Sequence, residues 1–363
     1  MADTASIIRT VALIAVVALL GMFASTETRA QAACPSATIW HSIGEAWSGK
    51  TGGHPLAGTV LKGTEPLSAT VGGACGPAPI EQLHGAIKAH LESGGIVLLG
   101  EVHDNGAQHA LRGALIRAIA ADIAEAKKQR PPALVFEHIR ADQAAALEAP
   151  RTPTPDGARD LLERLDWEKS GWPSSKLFLP IFEAAVGHDL PILSGHPTRA
   201  EVRDVARRGL DAPPPEVVTR LGLDAPMPEA LESALLDELE ASHCGLMPRT
   251  AFGNMALAQR YRDAYMAAAL ANAASEYGSA ILLAGNGHVR TDRGVPRDLA
   301  RLAPDRKVLA VMLMEVSEGR TDPAAYVERD PQGKPAADFV VLTPRTERPD
   351  PCEAMRARFK KPG

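Results

Sequence analysis

Four segments of this 363-residue chain share one layout, a short apolar run that stops abruptly at an acid or a histidine. Ile96-Val97-Leu98-Leu99 runs into Gly100-Glu101-Val102-His103, and Ala133-Leu134-Val135-Phe136 into Glu137-His138. Pro191-Ile192-Leu193-Ser194 runs into Gly195-His196, and Ile281-Leu282-Leu283-Ala284 into Gly285-Asn286-Gly287-His288. Runs of this length, apolar on every residue, read as parallel strands buried on both faces. Ligands of open α/β sheets sit at the carboxyl ends of such strands. If the four strands are neighbours, their imidazoles and carboxylates line one crevice, for which core packing alone gives no reason.

Helical periodicity between the runs predicts helices over 80–91, 108–128 and 139–148. It predicts further helical segments over 158–186, broken at Ser170-Gly171-Trp172-Pro173, and over 200–210, 228–277 and 296–302. The third run is expected to form a strand over 190–194, and further strands are expected at 307–315 and 338–343. Alternating strands and helices indicate a mainly parallel sheet flanked by helices. Residues 199–276 lack a strand signal and are expected to form a smaller all-helical subdomain. The expected organisation is therefore a Gly/Pro-rich arm over 33–80, an α/β core over 81–198 and 277–345, the helical insert, and a polar tail over 346–363.

The first residues read as a targeting segment over 1–32. Arg9 precedes an apolar stretch from Thr10 to Ala24, and small residues at Thr28, Ala30 and Ala32 suit cleavage after Ala30 or Ala32. That stretch is short against the roughly 20 residues of a membrane-spanning helix. A periplasmic or secreted location is expected. Cys34 raises the alternative of a lipid anchor, but Gln31 stands where a lipobox has an aliphatic residue. The chain has four cysteines, Cys34, Cys75, Cys244 and Cys352. An exported chain can pair them in three ways. Cys34–Cys75 would clip the arm, and Cys244–Cys352 would tie the tail to the body. A net charge of -5 without a basic stripe, and 4% aromatic residues, argue against a nucleic-acid partner.

Gly100-Glu101-Val102-His103-Asp104-Asn105 is the densest polar cluster, with His109 a few residues on. Gly100 is expected to allow a sharp turn. Glu101, His103 and Asp104 can bind a divalent metal or hold a general base beside an orienting acid. Asp104 or Asn105 can instead cap the following helix. Gly285-Asn286-Gly287-His288 repeats the pattern. Glu137 at a strand end needs a cation, a metal or a histidine, and Arg140 or Arg290 would also serve. His196 is a further candidate, with His138 and His188 behind it. At 100° per residue, Gln259, Arg262, Asp263 and Met266 share one helix face, and Tyr261 and Tyr265 fall on the opposite one. Tyrosine is an axial ligand for ferric haem, although ordinary packing also explains this pair. His243-Cys244 before Gly245 reads as a helix end with a disulfide. No Gly-x-Ser-x-Gly elbow, phosphate-cradling loop or Cys-x-x-Cys is present.

In order along the chain, Gly100 to Asn105, Glu137, Trp172-Pro173, Pro180, His243-Cys244, Gln259, Arg262-Asp263, Met266-Ala267 and Gly285 to His288 form a recognisable set. Over 81–345 the sequence resembles the ChaN haem-binding uptake family of the Tiki superfamily. The resemblance implies an α/β domain with a smaller helical one, and exported, often lipid-anchored proteins. Some of these bind haem at a dimer contact, which makes a homodimer and a haem or small-molecule ligand the expected partners. Wider relatives are hydrolases, some metal-dependent, that use paired Gly-x-x-His motifs with acids. Carried over, the site positions are Glu101, His103, Glu137 and His288. Departures are Gln31, and His196 where another polar residue is expected.

Two functions follow from the resemblance. One is haem binding for iron uptake, with Tyr265 or Tyr261 as ligand and Arg262 and Gln259 beside the cofactor. The other is metal-assisted hydrolysis, with a divalent metal on Glu101, His103 and His288 and with Arg290 or Arg262 steadying negative charge.

Overall fold

The computed structural model describes residues 54–68, 70–71, 74–75, 78–126 and 130–359. The expected targeting segment, Cys34 and its pairing lie outside the described residues, as does part of the arm. In chain order the strands are β1 (Val60–Lys62), β2 (Glu65–Pro66), β3 (Thr70–Val71), β4 (Ala74–Cys75), β5 (Ile96–Leu99), β6 (Ala133–Arg140), β7 (Ile192–His196), β8 (Ala280–Leu283), β9 (Val308–Glu315) and β10 (Phe339–Thr343). The helices are α1 (Pro79–Glu92), α2 (Gly106–Ala126), α3 (Ala145–Glu148), α4 (Pro155–Arg164), α5 (Ser175–Gly187) and α6 (Arg199–Arg208). They continue with α7 (Pro215–Leu221), α8 (Glu229–Ser242), α9 (Gly253–Tyr277), α10 (Asn286–Val289), α11 (Val295–Leu302) and α12 (Pro351–Phe359).

The main sheet has eight strands in the order β2-β1-β10-β9-β5-β8-β6-β7. The six from β10 to β7 run parallel, and β1 and β2 add an antiparallel edge. β8 inserts between β5 and β6. That insertion sets Gly285 to His288 between the Gly100 to His103 turn and Glu137, at one edge of the sheet. The expected mainly parallel α/β fold is therefore what forms, and the four runs are the adjacent strands β5, β8, β6 and β7.

Side chains alternate across a strand, and the two faces build two cores. Val97, Leu99, Leu134, Phe136, Ile281 and Leu283 pack with α1, α2, α4 and α5. Ile96, Leu98, Ala133, Val135, Ala280 and Leu282 pack on the other face with Met266, Ala267, Leu270, Ala273 and Ala274 of α9. The 199–276 stretch contains helices and no strand, as expected. Its long helix α9 is shared, because one face closes the sheet and the other packs Ala258, Tyr261 and Ala264 with Val205, Leu221 and Leu223.

Three local expectations shift. β6 continues to Arg140, so the helix expected from 139 reduces to a 3-10 turn at Ala141–Gln143 and the single turn α3. β7 starts two residues later than expected and takes in His196. The polar tail is not featureless, since it holds α12. Cys352 of that helix is bonded to Cys244, the pairing expected to tie the tail to the body.

Candidate functional site

Alternation along β6 decides how the site is divided. Phe136 faces the α2/α5 core, so Glu137 points to the α9 side and His138 back to the α2/α5 side. Two polar clusters result, one on each face of the sheet's carboxyl edge, and they meet at Gly285.

The first cluster surrounds Glu101, which is 2% exposed. Its Oε1 accepts from His103 Nδ1 at 2.7 Å and from His138 Nε2 at 2.8 Å. Its Oε2 pairs with the guanidinium of Arg112. Arg112 also donates to His109 Nδ1 at 3.0 Å and to the Leu99 carbonyl. His109 donates from Nε2 to the His103 carbonyl at 2.9 Å. Burial lowers the His109 pKa to about 4, so this ring is neutral and its tautomer is fixed. Burial also lowers Arg112, to about 9, which leaves it cationic at neutral pH. His103 and His138 are both held below the ordinary histidine value, chiefly by burial. Trp172, Trp167 and Phe178 wall the His138 ring. The Trp172 ring also lies 4.8 Å from that of His103.

The second cluster is a chain of alternating charges. Glu137 Oε1 pairs with Arg262 and lies 3.1 Å from His288 Nε2, and its Oε2 accepts from the Gly285 N–H at 2.7 Å. His288 Nδ1 is 2.5 Å from Asp263 Oδ1. Burial opposes charge on His288, but Glu137 and Asp263 outweigh it and raise its pKa to about 9. Burial likewise opposes ionisation of Glu137, and the cations His288 and Arg262 hold its carboxyl well below the usual range. Burial raises Asp263. Arg262 also donates from Nε to His196 Nε2 at 3.0 Å and from Nη1 to Gln259 Oε1 at 3.1 Å. His196, pushed down to about 4 by burial and then by Arg262, donates from Nδ1 to the Pro197 carbonyl.

Glycines let the clusters touch. A Cβ on Gly285 would stand 2.9 Å from His103 Cε1, 3.0 Å from its Nε2 and 3.6 Å from Glu137 Oε2. Gly285 has φ -63° and ψ 153°, a conformation open to any residue, so what is required there is space. Gly100 serves the same purpose. The chain turns just after it, with the Asn105 N–H on the Val102 carbonyl, and a Cβ on Gly100 would meet Asn286 Oδ1 at 2.2 Å. Asn286 ties the two Gly-x-x-His motifs together. Its N–H donates to the Glu101 carbonyl at 3.0 Å, and its amide pairs with both backbone groups of Leu313 on β9.

The structure thus gathers Glu101, His103, Glu137 and His288 at one edge, with Gln259 and Arg262 beside them. It places other expectations differently. The metal set Glu101, His103 and His288 is not the one that draws together, because both His288 nitrogens lie against carboxylates, Glu137 and Asp263. The ligand atoms within 4.8 Å of one another belong to Glu101, His103 and His138. Two imidazoles and a carboxylate are a metal-binding donor set in chemistry. In charge the set already has a cation, because the Arg112 guanidinium pairs with Glu101.

Arg140 pairs with Asp142, and Arg290 with Asp292 and Glu328, so neither serves Glu137. Asn105 rather than Asp104 caps α2, accepting from the Gln108 N–H at 3.0 Å. Tyr261 is buried in the α6/α7 packing on the far face of α9, with Tyr265 half-buried beside it, so the tyrosines do not border the crevice. Burial raises the Tyr261 phenol to about 12, away from the phenolate that haem ligation uses.

Sequence reasoning missed Arg112 and underweighted His138. A signal for Arg112 was present, as it is a lone charge among Leu111, Leu115, Ile116 and Ile119 of α2. A charge on an apolar helix face needs a buried counter-charge.

Residues 87–299, more than half of the chain, match the family model described as haem-binding uptake, Tiki superfamily, ChaN. The chain is similar to a structure of ChaN from Campylobacter jejuni with cofacially bound haem, at a TM-score of 0.52 and 15% identity over 78% of this chain and 95% of that one. It is also similar to a mutant of the erythromycin esterase EreC in its open conformation, at a TM-score of 0.41 and 15% identity over 74% and 94%. At these identities the first likeness speaks to the fold alone, and the second carries no argument. No curated protein matches the sequence. With the family model matched over β5 to β8 and over the site residues from Glu101 to His288, the chain belongs to the ChaN haem-binding uptake family of the Tiki superfamily.

Proposed function

We propose that this chain hydrolyses a small ester- or amide-like substrate at the carboxyl edge of the sheet, with His103 as general base. One observation carries the reading. Glu101 holds His103 Nδ1 at 2.7 Å, and Nε2 stands at the crevice over Gly285 with no protein hydrogen bond among the described residues. A neutral imidazole fixed in the Nδ1–H tautomer offers its Nε2 lone pair to a water. The imidazolium formed is stabilised by the carboxylate at its back. Arg112 and His138 hold that carboxylate in turn. Glu137 lies buried beside the same edge, where His288 and Arg262 keep it ionised. Arg290 is held by Asp292, Glu328 and the Arg329 carbonyl, away from the step, and Arg262 bonds Glu137, His196 and Gln259 with three of its five N–H groups. No step requires a metal.

The test is hydrolysis of a panel of small aryl esters and amides. His103→Gln is expected to lower turnover by roughly 10²–10⁴-fold, the usual contribution of a general base. Equal rates for wild type and variant would refute the assignment.

Haem binding is the second reading, and family membership favours it. Its site would lie away from the charge network, since Gln259 and Arg262 have their polar groups committed within it. Tyr265 is the ligand to test, because Tyr261 is enclosed. Hemin titration should give a saturable Soret shift that Tyr265→Phe removes, and no saturable change would exclude this reading. Export also belongs to the proposal, and the Cys244–Cys352 bridge supports it because such bridges persist in oxidising compartments.

A further inference from the structure

The segment from Pro344 to Cys352 lies beyond the part of the chain matched by the family model. It runs past the His103 turn as a strap anchored at both ends. At its start the Pro344 carbonyl accepts from Asn105 Nδ2 at 2.8 Å, and the Thr346 N–H donates to Glu315 Oε1 at 3.0 Å. In its middle, Arg348 forks onto Asp104, the residue after His103, with Nε and Nη2 at 2.8 and 2.7 Å from its two oxygens. The same guanidinium reaches both oxygens of Glu315 at 2.8 and 2.7 Å. Glu315 closes the ring by accepting from Asn105 Nδ2 at 2.7 Å. At its far end Cys352 is bonded to Cys244, where α8 ends.

Strap and turn also border a cavity of 290 Å³ lined by Asp104, Asn105, Leu177, Pro344 and Thr346 among others. Polar bonds rather than close apolar packing therefore hold the strap against the turn. Both bridging cysteines are half-buried, within reach of a small thiol. Cys244 adopts φ +61°, a left-handed conformation that a non-glycine residue keeps only where its surroundings enforce it.

The geometry points to a redox-sensitive tether in which the Cys244–Cys352 bridge holds the strap, and Arg348 on the strap holds the turn that carries His103. Arg348 is a positioning residue acting through Asp104. A dithiol reductant delivers two electrons and two protons to the bridge, giving two thiols, and leaves as its own cyclic disulfide. The freed tail then has only its polar bonds to stay in place, and the turn loosens. The consequence for turnover rests on the proposed hydrolysis, whereas the order of the turn does not.

Hydrogen exchange of the amides at 102–106, read by mass spectrometry on the full chain, tests the tether. The Val102 amide donates to Gln108 Oε1 and the Asn105 amide to the Val102 carbonyl, so both report on the turn. Dithiothreitol, Cys352→Ser and Arg348→Ala are each expected to speed this exchange on the order of tenfold, while β5 amides stay protected. Cys352→Ser opens this bridge alone, and dithiothreitol should add nothing to it. If that variant does not fold, reduction of the folded wild type and Arg348→Ala carry the test. Unchanged exchange on reduction, or in Arg348→Ala, overturns the tether. A loosened turn in a chain that hydrolyses none of the panel would leave the tether standing and remove the proposed activity.

Discussion

Glu137 and His138 are consecutive in β6, yet their side chains leave opposite faces of the sheet and join different clusters. Glu137 meets His288 and Arg262 on the α9 side, and His138 meets Glu101 on the α2 side. A strand can divide adjacent residues this way because its side-chain period is two. The division also explains why one crevice holds two charge-balanced groups in place of a single large one.

Gly285 stands where these groups meet, and its replacement separates function from stability. In Gly285→Ala the backbone is unstrained, but the new methyl group presses on the His103 ring, which Glu101 holds from behind. Stability in urea should change by no more than about 1 kcal/mol. Turnover of an accepted ester should fall sharply, as the ring is driven off its position. Gly100→Ala should behave differently, because its Cβ would meet Asn286 and the fixed Val311 carbonyl. There a loss of about 1–3 kcal/mol is expected, as for other overpacked core sites.

Arg112 and Glu101 form a buried pair, so removing one partner strands the other. Arg112→Met is expected to destabilise the protein by about 3–5 kcal/mol in urea unfolding. Adding Glu101→Gln to Arg112→Met should restore a large part of that loss, because no buried charge is left. A double variant no more stable than Arg112→Met would show that the pair is not coupled as its contact implies.

The strands and the polar edge were legible in the sequence because buried parallel strands are apolar on every residue and stop where the edge begins. Glu101, His103, Glu137 and His288 stand at those stops, as do His138 and His196, and the family resemblance singled out the four. The extension of β6 through His138 was not legible, since polar residues inside a strand look like its end unless clusters on both faces are known to receive them. The roles within the edge were hidden too. The sequence offers His288 and His103 as equivalent members of two similar motifs. Glu137 from β6 and Asp263 from α9 make one an imidazolium between carboxylates, while the other keeps a free nitrogen. The tyrosines illustrate the reverse case. Helical spacing placed them opposite Arg262 and Asp263, and what they meet there is the apolar packing of α6 and α7 together with Glu201, not the crevice.

The histidines set the pH profile of stability from both sides. His288 has a folded pKa of about 9, above the unfolded value of about 6.5. Its contribution is complete below pH 6.5 and is lost as pH rises through 9, a decline on the order of 3 kcal/mol. His109 and His196 are held at about 4. The unfolded chain binds protons at these two positions that the folded one does not, so stability falls as pH drops from 6.5 toward 4. Urea unfolding should be most resistant near pH 6.5 to 7. Replacing His288 by glutamine should flatten the alkaline limb and leave the acid limb in place. An alkaline limb of unchanged slope would remove His288 as its origin.

Metal removal distinguishes the two hydrolytic schemes that the edge could support. Glu101, His103 and His138 bring ligand atoms close together, but Arg112 already answers the only carboxylate among them. Dialysis against a chelator is therefore expected to leave both the melting temperature and ester turnover of the wild type unchanged. Arg112→Gln removes the competing cation and leaves Glu101 in need of one. Added zinc should then raise the melting temperature of that variant, by the stabilisation any ligand of the folded state brings, and do so more than for the wild type. Loss of wild-type activity on chelation, restored by zinc, would show instead that the ion and Arg112 share the carboxylate. The general-base scheme would then give way to a metal-bound one.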